Sequence, residues 1–346
     1  MKRSYMIGIV LILVAASLLL LLENNSSNSF ADAGVNKKIY LVIEGKTVED
    51  GGFNQSLWRT LQHFSLQAQI KDITNPQGDS MHTLLGRVVK EKPGLVFFTI
   101  ATAYDPEVET IIKDHPEIKF VVVDYKPTVK MPNYRGLYVE SQEGSFLAGY
   151  VAGRMTKTGK VGFLGGFAGQ IMDQFRYGFA AGAAYAAWEQ HKPVTCLVRY
   201  ANTYYEKNVG AEIAASLYKD GCDIIFQAAG LSGVGAIEEA KRQHKYIIGV
   251  DTDQSNMAPE QVLTSVLKNM NLLVINEANN YLSLDSNNMG NKQGLAIGAT
   301  GLPSKNRNIP YHINRDTKAI GMRIVDDKLT VPYDAETYQK FLTTLK

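Results

Sequence analysis

The chain has 346 residues, a formal net charge of +2 and 20% charged residues. No basic stripe or arginine-rich tail speaks for a nucleic-acid partner, because such partners demand clustered cations and these charges are interspersed. The length suggests about two domains, and 45% hydrophobic content is ordinary for a globular fold.

The first 34 residues differ from the rest. Lys2 and Arg3 precede an apolar run from Met6 to Leu22, and a polar Asn/Ser segment follows. That pattern reads as a secretory signal or as an uncleaved membrane anchor; "ADA", Ala31 to Ala33, offers a small-x-small cleavage site. Either way the body is expected outside the cytoplasm, at the cell surface or in the periplasm. The two cysteines, Cys196 and Cys222, lie in strand-like runs without a CxxC or a Cys/His cluster. They read as small buried hydrophobes, with a disulfide between them the alternative in an oxidising compartment, and a zinc site is not expected.

In chain order, "KIYLVIE" (38–44), "AQIKDIT" (68–74), "GLVFFTI" (94–100) and "KFVVVDY" (119–125) form one series of short apolar runs. "KVGFLGG" (160–166), "VTCLVRYA" (194–201), "CDIIFQAA" (222–229) and "YIIGVDT" (246–252) form a second. Their β-branched and aromatic content predicts buried strands, and amphipathic stretches such as "SLWRTLQHF" and "AIEEAKRQH" between them predict helices. Alternating β and α implies parallel sheets covered on both faces. The fold class is therefore α/β, with two doubly wound lobes. A weak internal repeat, "VIEGKTVEDGGFNQSLW" against "FLGGFAGQIMDQFRYGFAAG", supports two similar lobes, with "EGSFLAGYVAGRM" (143–155) connecting them. Beyond about residue 255 the late runs "VLTSVLKN", "KQGLAIGA" and "KAIGMRIVDD" read as strands that return to either lobe. The resulting division is a leader at 1–34, lobe 1 at 36–143 plus about 270–325, and lobe 2 at 144–269 plus about 326–346.

In such lobes, ligands bind at the carboxyl ends of the strands. Glu44, Asp124 and Asp251 stand there, and "GLSGVG" from Gly230 follows another strand. Phe53 sits beside turn glycines, and Tyr204 and Tyr205 follow a strand of the second series, so an aromatic from each lobe can sandwich a flat ring. The six histidines are scattered, and no HExxH, GxSxG or phosphate-loop motif occurs. No catalytic residue, metal ligand or cofactor site is assigned, and the chain is not read as an enzyme.

Five blocks then carry a resemblance: "DGGFNQS" (50–56), "FVVVDY" (120–125), "EGSFLAGYVAGRMTKTGKVGFLGG" (143–166), "FRYGFAAG" (175–182), and "GVDTDQ" with "LTSVLKN" (249–254, 263–269). Their order and spacing resemble the basic membrane protein family, substrate-binding proteins of ABC transporters that include purine nucleoside receptors. The resemblance implies a type I periplasmic-binding fold with a hinged cleft, a nucleoside ligand and an ABC permease as partner. It implies that Phe53 and Tyr204 clamp the base, Tyr204 standing where phenylalanine is usual. Asn54 and Asp124 match the amide and acid that read the ring, Asp251 and Lys268 the pair that holds the ribose hydroxyls, and Gly230 a backbone contact near the sugar. Glu44 stands where an aspartate is common, and "AAGLSGVG" departs from the usual Ala-Gly-Gly-Thr-Gly at Leu231 and Ser232. Family members are usually lipoproteins, but this leader has no cysteine to acylate, so a membrane tether would be the apolar run itself. The function expected is nucleoside capture for import; the rivals are a membrane-anchored sensor of the same fold and a nucleoside-cleaving enzyme.

Overall fold

The computed structural model describes residues 37–49, 53–100, 105–283 and 293–345. The expected leader, and the turn residues Asp50, Gly51 and Gly52, lie outside them. The chain divides into two compact units: one runs to Leu137 and takes in the segment from Val274, and the other holds Tyr138–Leu273 and the C-terminal part.

In the first unit, β1 (Lys38–Val42), β2 (Gln69–Ile73), β3 (Leu95–Thr99), β4 (Lys119–Val123) and β5 (Tyr134–Leu137) form one sheet in the order β2-β1-β3-β4-β5. Every pairing is parallel. Helices α1 (Phe53–Gln62), α2 (Met81–Val88) and α3 (Val108–Asp114) alternate with the strands. Residues of β3 are buried throughout, because helices cover both faces and leave no solvated side to alternate with. One core combines Val42, Phe98 and Phe120 with Leu84, Leu85 and Ile112 of α2 and α3.

The second unit repeats the winding. Strands β6 (Lys160–Gly165), β7 (Thr195–Tyr200), β8 (Ile224–Ala228), β9 (Tyr246–Asp251) and β10 (Val262–Lys268) run in the order β7-β6-β8-β9-β10. They are parallel, and a two-residue antiparallel β11 (Thr300–Gly301) closes the β10 edge. Counted from its own first strand, each unit therefore shows the same 2-1-3-4-5 sequence of strands, and the weak repeat in the sequence has a structural counterpart. Helices α4 (Ser141–Met155) and α5 (Gln170–Gln190) pack on one face, where Phe163 and Phe226 meet Phe175 and Phe179. Helices α6 (Lys207–Lys219) and α7 (Gly230–Gln243) pack on the other, where Ile225 and Ile247 meet Leu217, Ala236 and Ala240.

Three expectations need correction. The run "KAIGMRIVDD" is not a strand but lies in helix α9 (Tyr311–Val325), whose Ile313, Thr317, Ile320 and Ile324 are buried at helical spacing. "KQGLAIGA" yields a 3-10 turn, Leu295–Ile297, before β11. The unit boundary also differs. The break falls after Leu137; α4 belongs wholly to the second unit, and α9 packs against Phe146, Leu147 and Tyr150 of α4 rather than returning to lobe 1. Helix α8 (Met270–Leu282) begins in the second unit and ends in the first. There Lys37 donates to the carbonyls of Tyr281 and Leu282, at 3.4 and 3.2 Å, a cation at a helix C-terminus. The last helix, α10 (Ala335–Thr343), is capped by Asp334, whose carboxylate accepts from the Thr337 N–H at 2.8 Å.

Cys196 and Cys222 lie on opposite faces of the second sheet, one packed with the α4–α5 core and the other with the α6–α7 core. No disulfide joins them. Burial pushes the Cys196 thiol up to about 12 and the Cys222 thiol to about 11. The thiolate is the reactive species, so folded protein at pH 8 should consume almost no thiol reagent and take up two equivalents once denatured. Rapid labelling of the native protein would contradict this burial.

Candidate functional site

Because every strand of the first sheet is parallel, their carboxyl ends share one edge. The order β2-β1-β3 places the change of winding direction between β1 and β3, the usual ligand position of such sheets. Glu44 stands just beyond β1 and is half-buried. Phe53 opens α1 with 40% of its surface exposed, and Asn54 follows in the first helical turn. The Asn54 amide lies over the β1 loop, its nitrogen 3.6 Å from where a Cβ on Gly45 would be. Asp124 follows β4, donates its N–H to the Leu137 carbonyl at 2.7 Å, and adopts φ +61°. Few residues but Gly, Asn and Asp tolerate that region. Strands lie about 4.8 Å apart, so β1 and β4, flanking β3, set Glu44 and Asp124 roughly 10 Å apart. Glu49 and Gln55 serve the loop itself. The Gln55 amide donates to the Glu49 carboxylate, which closes the loop onto α1.

The second unit carries a matching edge. Tyr204 follows β7, and its ring covers Gly166 so closely that a Cβ there would fall 2.0 Å from Cε1. The Tyr204 carbonyl accepts from the Leu231 N–H at 2.8 Å. Gly230, at φ +58°, opens α7 with its Cα side turned to the same carbonyl; a Cβ would lie 3.0 Å from it. Asp251 ends β9 at φ +66°, at the centre of a three-residue turn closed by Thr252 N–H to Val250 O at 2.8 Å. Tight turns with positive φ store strain, and strain of this kind clusters at functional positions. Asp251 and Asp124 thus occupy the same place in the two windings, the end of the fourth strand, in the same backbone region.

Lys268 ends β10, one residue past the register partner of Asp251, with Nζ 5.9 Å from the centroid of the Phe175 ring. The turn carrying Asp251 is braced from behind. Gln254 Oε1 accepts from the Val250 N–H at 3.1 Å and from Gln227 Nε2 at 2.8 Å, while the Gln254 N–H donates to Ser265 Oγ at 3.0 Å. Gln227 is fully buried.

The structure therefore groups Glu44, Phe53, Asn54 and Asp124 on the carboxyl edge of the first sheet. It groups Tyr204, Gly230, Asp251 and Lys268 on the carboxyl edge of the second. Sequence reading missed two features. The first is Phe167, 48% exposed, whose ring lies 5.4 Å from that of Tyr204 at 63°. The signal was available in "GFLGGFAG", where an aromatic follows two turn glycines as Phe53 does. The second is the Gln227–Gln254–Ser265 brace, which joins three separate elements and has no local signature. Histidines play no part at either edge. His82 and His115 line a cavity of ≈ 960 Å³ in the first unit with Lys90, Lys92 and Pro93, on the strand-entry side away from all four candidate residues. Among the described residues no group of three or more His, Cys, Asp or Glu side chains can hold a metal, and no helix is long and apolar enough to cross a membrane.

Comparison with known proteins places these edges in context. The family model described as "ABC transporter substrate-binding protein PnrA-like" matches residues 36–333. Basic membrane protein A of Borreliella afzelii is 33% identical over 323 residues, covering 92% of this chain and 98% of that protein. Basic membrane protein A1 of Borrelia garinii subsp. bavariensis is 33% identical over 311 residues, covering 88% and 91%. Among solved structures, an ABC transporter solute-binding protein from Aeropyrum pernix K1 superposes with a TM-score of 0.72 at 18% identity, covering 89% of this chain and 97% of that one. A transcriptional activator of the comK gene from Bacillus halodurans superposes with a TM-score of 0.69 at 21% identity, covering 85% and 99%. At such identities the structural likeness speaks for the fold alone.

Proposed function

The chain belongs to the Bmp family of PnrA-like ABC transporter substrate-binding proteins, and from that premise we propose that it captures a purine nucleoside for an ABC importer. One observation carries the reading: each sheet ends in an exposed or half-exposed aromatic and a positive-φ aspartate on its carboxyl edge. A nucleoside has a flat ring with a donor and acceptor edge, and a cis-diol. Phe53 and Tyr204 supply π-faces for the ring, worth about 1–3 kcal/mol per stacked base. Asn54 and Asp124 supply an amide and a carboxylate for its edge, and Glu44 completes that set. Asp251 accepts from the two ribose hydroxyls, Lys268 donates to a sugar oxygen, and the Gly230 backbone approaches where a side chain would obstruct.

In this reading the ligand bridges the two edges, and its contacts with both favour a closed form over an open one. The permease distinguishes the closed form, and no covalent bond changes. Substrate-binding proteins of ABC transporters work outside the cytoplasm, and the apolar run Met6–Leu22 supplies either the export signal or the tether.

The test is a thermal-shift screen over nucleosides, free bases, sugars and amino acids. A ligand at 100 times its Kd stabilises the folded state by about 2.7 kcal/mol. Purine nucleosides should raise the melting temperature, and sugars and amino acids should not. A shift given only by sugars or amino acids would sink the nucleoside reading. Steady release of free base from inosine would replace it with the nucleoside-cleaving one.

A further inference from the structure

We propose that Phe167 contacts the ligand and sets specificity, as the second wall of an aromatic corner with Tyr204, and that this corner selects nucleosides over their phosphates. The proposal rests on the nucleoside reading above.

Phe167 is the first side chain after the glycine turn that ends β6, the central strand of the β7-β6-β8 group. An exposed phenylalanine alone is unremarkable on a protein surface. Its surroundings make the difference. The 63° angle to Tyr204 makes a corner and not a stack, so a flat ring lying on one wall brings its edge or face against the other. Tyr204 is held firmly in that corner by Gly166 beneath its ring and by the Leu231 N–H on its carbonyl. The backbone ties these loops together: Asn202 N–H donates to Gly166 O at 3.0 Å, and Gly166 N–H to Ala228 O at 3.0 Å.

The rim of the corner is apolar. Tyr205 after β7 is 75% exposed, and Leu231 after β8 is 49% exposed. Three neighbouring strands thus end in outward apolar side chains. A helix start ordinarily suits a phosphate through its free N–H groups, but α7 already gives its Leu231 N–H to the Tyr204 carbonyl. Here Leu231 fills its second position with an isobutyl group. The only charged residue in the loops 166–169, 202–206 and 229–232 is the acid Glu206. The next cation, Lys207, is paired with Glu238 at 3.2 Å. A phosphate dianion at this rim would lose water and gain no counter-charge from these three loops, and Lys268, at the end of β10, is already given to a sugar oxygen in the nucleoside reading.

The experiment is calorimetric titration of the full chain with adenosine, inosine, guanosine and AMP, for wild type, Phe167→Ala, Phe167→Trp and Leu231→Lys. Wild type should prefer its best nucleoside over AMP by about tenfold or more. Phe167→Ala should weaken that nucleoside about tenfold with its melting temperature unchanged, and Phe167→Trp should restore most of the loss. Leu231→Lys should narrow the gap to AMP. Wild-type affinity in Phe167→Ala would remove Phe167 from the site while leaving the nucleoside reading intact. Equal wild-type affinity for nucleoside and AMP would overturn the selectivity claim. A wild-type protein that binds none of the nucleosides overturns the function itself, and this inference with it.

Discussion

Gly182→Val should destabilise the second unit by about 3 kcal/mol or more, through helix-helix overpacking. Helices α4 and α5 meet through glycines. A Cβ on Gly182 would fall 2.0 Å from the Phe146 carbonyl oxygen and 2.7 Å from the Tyr150 nitrogen; one on Gly149 would fall 2.0 Å from the Phe179 carbonyl oxygen. Both obstacles are backbone, so no side-chain rotation relieves them. Valine at 182 must push the helices apart, and with them Phe146, Phe179 and Ala183, each essentially buried. For a unit of this size, about 3 kcal/mol corresponds to roughly 6–12 °C in melting temperature. Circular dichroism during heating reads that shift. Gly321→Ala, on α9 of the same unit, is the control. Its Cβ would meet only Leu147 methyls, at 3.6 and 3.9 Å, and alanine in a helix interior is favoured over glycine by about 1 kcal/mol. The two variants should therefore move in opposite directions. A Gly182→Val protein that melts with wild type would mean that α4 and α5 are not in close contact.

The same glycines explain why parts of the chain were legible. "GYVAG" and "FRYGFAAG" stood out in the sequence as blocks of a family pattern, and the structure supplies the reason: small residues spaced by four on facing helices. Buried parallel strands were legible because a strand covered on both faces is one continuous apolar run. The run "AIGMRIV" misled for that reason. Its apolar residues are locally dense, broken only by Gly321 and Arg323, and only the wider spacing of Ile313, Ile320 and Ile324 reveals the helix. Strand β11, two residues long, has no period to detect. Among the candidate residues, Phe53, Asp124 and Asp251 were legible as side chains at strand and helix ends. Phe167 was absorbed into a glycine-rich turn, and Gln227 and Gln254 meet only after folding.

Phe53→Ala and Asp124→Asn should each lower purine nucleoside affinity at least tenfold, about 1.4 kcal/mol. The two act on different parts of the ligand. Phe53 is 40% exposed at the start of α1, while the helix is held to the fold by Leu57, Thr60 and Leu61, which are buried. Removing its ring costs the fold little, and costs the ligand a stacking partner worth about 1–3 kcal/mol. Asp124 needs a gentler change, because its φ of +61° suits Asp and Asn and strains alanine. Asparagine keeps the shape and the backbone but replaces a carboxylate with a neutral amide. A hydrogen bond to a charged acceptor contributes about 1.5–3 kcal/mol, against about 1 for a neutral pair. The loss should then appear in calorimetric affinity with the melting temperature of the free protein nearly unchanged. A free base without its ribose separates the roles further: both variants should weaken it, whereas Asp251→Asn, at the proposed sugar end, should weaken only the nucleoside. If both Phe53→Ala and Asp124→Asn bind as wild type does, the carboxyl edge of the first sheet is not where the ring is read.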